Sequence, residues 1–128
     1  MNALLIDDDQ LVHEIMGGVL RAAFDDCEIR HAVSLSSALL IAEAASAPDL
    51  VIMDLGLPDC LPWEALERVR AQYPKAAVVV ISADDARETI HAALKRGVAG
   101  YIPKSLRPKV MVHALRLVVS GGVYVPDE

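Results

Sequence analysis

Apolar residues recur along this chain with two periods. Short, nearly unbroken apolar runs at residues 3–6, 50–53, 76–81 and 99–102 are each bounded by acids, Gly, Pro or Ser. Runs of that length between turn residues predict strands buried on both faces, the mark of a parallel sheet. Residues 27–33 make a fifth, weaker strand. Between the runs the apolar period lengthens to that of a helix. Leu11, Ile15, Val19 and Leu20 predict the inner face of a first helix, with Gln10, His13, Glu14, Gly17 and Arg21 opposite and Val12, Met16 and Ala23 beside that face. Residues 34–46 predict an Ala-rich second helix. Pro62 stands at the first position of a third, whose buried stripe is Leu66, Val69 and Tyr73 and whose stop is Pro74. Asp84 and Asp85 open a fourth, with Ala86, Ile90, Ala93 and Leu94 inward and Gly97 just past its end. A last helix, residues 107–120, is expected to be capped by Ser105 and stopped by Gly121 and Gly122.

Strand and helix thus alternate five times, at spacings that suit right-handed crossovers. The fold class expected is α/β, a doubly wound five-stranded parallel sheet in the order 2-1-3-4-5, of flavodoxin-like type.

At 128 residues the chain has the size of one domain able to bury its own core. Hydrophobic residues make up 54% but aromatics only 4%, so Ala, Val, Leu and Ile must fill that core. A net charge of −6 argues against nucleic acid as a direct partner of this domain. No apolar run reaches the roughly 20 residues that span a bilayer. Met1, Asn2 and Ala3 lack the positive start of a signal peptide, so a cytoplasmic location is expected. Cys27 and Cys60 read as free thiols rather than as a metal or redox set.

The chemistry gathers at the C-terminal ends of the strands, where ligands of open α/β sheets bind. The first strand ends in Asp7, Asp8 and Asp9, the third in Asp54, the fourth in Ser82 and the fifth in Lys104. First and third strands are neighbours in the expected order, so their carboxylates converge. Clustered carboxylates raise one another's pKa unless a cation intervenes, and a hard ion such as Mg²⁺ fits this oxygen supply. Lys104 and Ser82 would offer a point charge and a hydroxyl to a phosphoryl group on Asp54. Singly, Asp7–Gln10 also suits a helix cap, Asp54 a turn and Lys104 a solvated surface. Competing motifs are incomplete. His13 and Glu14 begin a zinc-protease helix without its second His, there is no Gly-rich dinucleotide or Walker loop, and Gly56 stands where a haloacid-dehalogenase-like phosphatase carries its second Asp. His31, His91 and His113 read as isolated surface residues.

In this order and context Asp7-Asp8, Asp54, Ser82-Ala83 and Lys104 resemble the receiver domain of two-component response regulators, over the whole chain. The resemblance implies a CheY-like fold and a phosphorylatable signalling switch of a phosphorelay. Asp54 would be the phospho-acceptor and a sensor histidine kinase the partner. Mg²⁺ would be held by Asp7, Asp8, Asp54 and the Gly56 carbonyl, and Ser82 and Tyr101 would form a switch. Mg-dependent self-phosphorylation and self-dephosphorylation follow from it. Lys104 is followed by Ser105 where many relatives carry a Pro after a cis bond, and cis without Pro costs about 3–4 kcal/mol. Pro103-Lys104-Ser105 and the Gly-Gly-Val-Tyr-Val-Pro run at 121–126 resemble the LuxR-like branch (NarL/FixJ type), whose members carry a DNA-binding output domain. Residues 1–122 would then be the receiver and residues 123–128 the start of a linker or a tail. A stand-alone receiver and a pseudo-receiver that only binds proteins are the alternatives. The wide apolar arc of the last helix, beside Val12 and Met16 of the first, suggests a homodimer or interdomain contact.

Overall fold

A computed structural model describes residues 1–44 and 47–126. Five parallel strands alternate with five helices: β1 (Asn2–Ile6), α1 (Gln10–Ala23), β2 (Glu28–Ala32), α2 (Leu35–Ala44), β3 (Leu50–Asp54), α3 (Pro62–Gln72), β4 (Ala77–Ser82), α4 (Arg87–Lys95), β5 (Gly100–Pro103) and α5 (Pro108–Val119). Their sheet order is β2-β1-β3-β4-β5, as the sequence implied. The expected end of the second helix at Ser46 lies outside the described residues.

Alternation along the strands divides the core in two. Leu4, Ile6, Val51, Met53, Val78, Val80 and Tyr101 face α2, α3 and α4. Leu5, Leu50, Ile52, Val79, Ile81 and Ile102 face α1 and α5. Every residue of β3 is buried, which fits its place between β1 and β4 and under helices on both sides. The tight register Ile6↔Met53 and Asp54↔Ile81 brings the polar residues after β1 and at the ends of β3 and β4 to one edge of the sheet.

Three local expectations are corrected. In α1 the buried residues are Val12, His13, Met16, Gly17, Val19, Leu20 and Ala23, whereas Leu11 is 59% and Ile15 43% exposed. The helix is turned by about one residue because it packs on α5 as well as on the sheet, and both stripes share the same spacing. Helix α4 begins at Arg87, not at Asp84, and Ala86 is its exposed N-cap. Asp84 instead accepts from the Ala86 N–H and the Thr89 hydroxyl from outside the helix. Helix α5 is not capped by Ser105. Leu106 N–H closes a turn on the Pro103 carbonyl, and Pro108 at the first position fixes the helix start behind Arg107.

Two glycines are needed where they stand. Gly97 follows α4 at φ +88°, and a Cβ there would lie 2.7 Å from Arg70 Nη1. Arg70 reaches across from α3 to the Arg96 carbonyl, and the Arg96 guanidinium lies 4.4 Å from the Trp63 ring centre. Gly100 lets the C-terminal segment approach β5: a Cβ would meet Tyr124 Cβ and Val118 Cγ2 at 3.3 Å. Tyr124 pairs in parallel with Gly100, donates to the Ala99 carbonyl at 2.9 Å and accepts from Tyr101 N–H at 3.2 Å. The open edge of β5 is thereby covered.

Candidate functional site: a carboxylate cluster with one lysine

Asp7 leaves β1 fully buried, while Asp8 is exposed. Asp9 turns outward to cap α1, accepting from Leu11 N–H at 3.0 Å. Asp54 sits at the end of β3 with 6% of its surface exposed. One carboxylate oxygen from each of Asp7, Asp8 and Asp54 lies within 4.8 Å of the others. Lys104, just past β5, brings its ammonium to 3.0 Å from Asp7 Oδ2 and 3.6 Å from Asp54 Oδ2. Three negative groups thus face one positive group.

The electrostatics follow from that imbalance. Burial pushes the Asp54 carboxyl above its ordinary value, with Asp7 and Asp8 adding to the rise and the Gly56 N–H and Lys104 opposing it. Burial alone would lower the Lys104 ammonium, but its contacts with Asp7 and Asp54 outweigh this and raise it. Asp7 Oδ1 accepts from Asp9 N–H at 2.8 Å, whereas the buried Oδ2 receives no well-directed hydrogen bond and only faces Lys104. Hard oxygen donors at this spacing, three carboxylates against one ammonium, fit a divalent cation. The approach to Asp54 is open as well. A side chain at residue 56 would start 3.5 Å from Asp54 Oδ2, and Gly56 has none.

Around this cluster Ser82 is buried at the end of β4, and its hydroxyl oxygen accepts from Asp84 N–H at 3.0 Å. Lys104 N–H donates to the Ser82 carbonyl at 2.8 Å, which ties the ends of β4 and β5 together. Tyr101 is fully buried and its hydroxyl donates to the Asp84 carbonyl. Burial raises the Tyr101 phenol, the Ser82 hydroxyl works against this, and the acids Asp84, Asp85 and Asp54 add to it. None of the described peptide bonds is cis, so Lys104 and Ser105 are joined in trans.

Asp7, Asp8, Asp54 and Lys104 therefore meet at one end of the sheet, with Ser82 at the neighbouring strand end and Tyr101 bonded to the turn that follows it, whereas Asp9 turns away. Two groups escaped that reading. Asp84 is the link between Ser82 and Tyr101, though its sequence position suggests only a helix start. His31 is not isolated: its Nδ1 lies 2.7 Å from His13 Nδ1, and His13, expected on the outer face, is buried. No spacing rule connects two histidines on a helix and an adjacent strand, so only the fold could reveal the pair.

Residues 3–116 match the family model of the response regulator receiver domain. The chain belongs to that family. Among curated proteins it is 34% identical over 124 residues to the transcriptional regulatory protein MctR of Rhizobium johnstonii, covering 97% of this chain and 58% of that protein. It is 30% identical over 124 residues to the nitrate/nitrite response regulator protein NarL of Escherichia coli, covering 97% and 57%. The receiver thus spans less than two thirds of these relatives. A solved LuxR family DNA-binding response regulator from Silicibacter pomeroyi superimposes with a TM-score of 0.85 at 32% identity, over 98% of this chain and 97% of that one. The isolated receiver of RcsB from Salmonella enterica, at 16% identity and a TM-score of 0.89, covers 99% of this chain and 94% of its own and shares the CheY-like fold. Among the described residues of this receiver no helix is long and apolar enough to cross a membrane.

Proposed function

We propose that this receiver is a phosphorylatable switch in which Asp54 accepts a phosphoryl group from a sensor histidine kinase. The observation that carries the reading is the convergence of Asp7, Asp8, Asp54 and Lys104, with Asp54 alone delivered by a central, fully buried strand and left uncovered by Gly56. Asp7, Asp8, Asp54 and the Gly56 carbonyl would hold Mg²⁺, which supplies the positive charge an anionic nucleophile needs to meet an anionic phosphate. An Asp54 oxygen attacks phosphorus, the P–N bond of the kinase phosphohistidine breaks, and its electron pair returns to the imidazole. Lys104 turns from its two carboxylates to a phosphoryl oxygen, and the Ser82 hydroxyl donates to another. The same residues serve self-dephosphorylation when water replaces the kinase.

The relatives are transcriptional regulators roughly 1.7 times as long, which supports a cytoplasmic role in controlling a DNA-binding output domain joined through residues 123–128. Leu11 and Ile15 on α1 and Val110, Leu117 and Val119 on α5 leave apolar surface exposed, which supports contact with a second copy. The direct test is incubation with Mg²⁺ and a small phosphodonor, read by intact mass. One phosphoryl group is expected on the wild type and none on Asp54→Asn. Undiminished label on that variant overturns the assignment, and full labelling in excess chelator overturns the metal dependence.

A further inference from the structure

Away from the carboxylate cluster, α1 and β2 aim two imidazoles at each other. His13 Nε2 lies 2.6 Å from the Asp7 backbone carbonyl oxygen, and His13 Nδ1 lies 2.7 Å from His31 Nδ1. A carbonyl only accepts, so His13 Nε2 must carry a hydrogen. In the neutral ring Nδ1 is then a bare lone pair, turned toward His31. His31 itself is exposed, set on β2 opposite Leu5. The rings stand 4.9 Å apart between centres and are inclined by 54°.

A single N–H···N bond is one outcome of that geometry, but three features exceed what such a bond needs. Metal-bound histidines almost always donate their second N–H to a carbonyl or carboxylate, which fixes the tautomer, and His13 already does so. The pair opens on a cleft of about 260 Å³, with the Arg21 guanidinium lying against Gly17 one turn beyond His13. Gln10 and Glu14 also line the cleft. With metal–nitrogen bonds of about 2.0–2.1 Å, the observed separation corresponds to an angle of about 80° at the ion. A tetrahedral angle needs the nitrogens about 0.6 Å further apart, which the exposed His31 can supply by turning. Arg21, also at the cleft, opposes a cation, and Glu14 offsets it.

We infer that His13 and His31 form a second metal site, selective for a transition ion such as Ni²⁺, Cu²⁺ or Zn²⁺, with water completing its shell. Imidazole nitrogens prefer these ions, whereas the carboxylates of the first site prefer Mg²⁺. Burial, His13 and Arg21 hold the His31 imidazole below its ordinary value, which keeps it an available ligand at neutral pH. The site does not depend on the phospho-acceptor reading.

The test is calorimetric titration of the untagged chain with Ni²⁺ in saturating Mg²⁺. One ion per chain is expected, with both His13 and His31 Nδ1 resonances shifting in ¹⁵N NMR. His31→Gln, a surface change, should weaken binding at least about tenfold, and Asp54→Asn should leave it intact. His13→Gln should abolish it, and if that variant fails to fold, His31→Gln decides alone. Unchanged Ni²⁺ affinity in His31→Gln, absence of one-to-one binding, or loss of the site in Asp54→Asn would overturn the inference.

Discussion

Replacing Asp54 by Asn should stabilise the metal-free protein even though it destroys the proposed chemistry. Asp54 faces Asp7 and Asp8 with oxygens no more than 4.8 Å apart. At an effective dielectric of about 20, each such pair repels by at least about 3.5 kcal/mol. Lys104 at 3.6 Å returns about 4.6 kcal/mol. The balance is about 2 kcal/mol against the charged form, and screening around the exposed Asp8 reduces it to about 1–2 kcal/mol. Burial of the carboxylate adds a penalty of the same sign. Urea unfolding at pH 7 in chelator should therefore show Asp54→Asn more stable by about that amount, a rise in Tm of about 3–8 °C.

The pH dependence has a fixed sign. The folded carboxyl titrates above its unfolded value of 3.8, so between the two values the native state binds more protons than the unfolded one. Wild-type stability falls as pH rises through the native pKa, and the advantage of Asn is full at neutral pH and gone below 3.8. Mg²⁺ reverses the order, since an ion at about one hundred times its Kd adds about 2.7 kcal/mol to whichever protein binds it. A variant less stable than wild type in chelator at pH 7, or an advantage that persists unchanged in acid, refutes the reasoning.

Ser82→Ala should still accept phosphate on Asp54 but lose the phosphorylation-dependent change in Tyr101 NMR signals; identical shifts in both proteins would exclude the coupling. Gly97→Ala should cost about 1–2 kcal/mol in urea unfolding, because the left-handed backbone disfavours a Cβ and Arg70 must move away. Sedimentation of the phosphorylated receiver should show self-association that Val112→Glu weakens without unfolding it, and a strictly monomeric phosphorylated protein would exclude the α1–α5 pairing.

The strand order and the carboxylate cluster were legible because both follow from chain order: each acid stands directly after an apolar run, and parallel topology carries those ends to one edge. Side-chain chemistry within a helix was less legible. Leu11 and Ile15 share the spacing of Val12 and Met16, while Val19 and Leu20 lie inward on either reading, so periodicity cannot choose between faces about 100° apart. The choice is made by α5, whose Arg116 bonds to the Ala22 and Ala23 carbonyls at the end of α1. Turning the helix that way buries His13 and exposes Leu11, and with it sets the histidine pair. The caps of α4 and α5 were misread for a related reason. Asp84 and Ser105 are good capping residues, but turns before each helix leave them outside it.

The same turns bear on how a signal would leave the pocket. Asp84 N–H donates to Ser82 Oγ, Tyr101 hydroxyl donates to the Asp84 carbonyl, and Tyr101 N–H donates to the Tyr124 carbonyl. A hydroxyl donates and accepts at once, so Ser82 can offer its hydrogen to a phosphoryl oxygen while keeping the Asp84 bond. Phosphorylation would then add a bond to the arrangement seen here, with Tyr101 already buried. A hydrogen bond to a charged group contributes about 1.5–3 kcal/mol, enough to favour that arrangement about ten- to 150-fold over one with the ring outside. The link from Tyr101 to Tyr124 runs through backbone and is indifferent to the ring's rotamer. A message carried by the Tyr101 ring would therefore travel through the packing around it, and amide exchange at Tyr101 and Tyr124 should stay constant while the ring signals move.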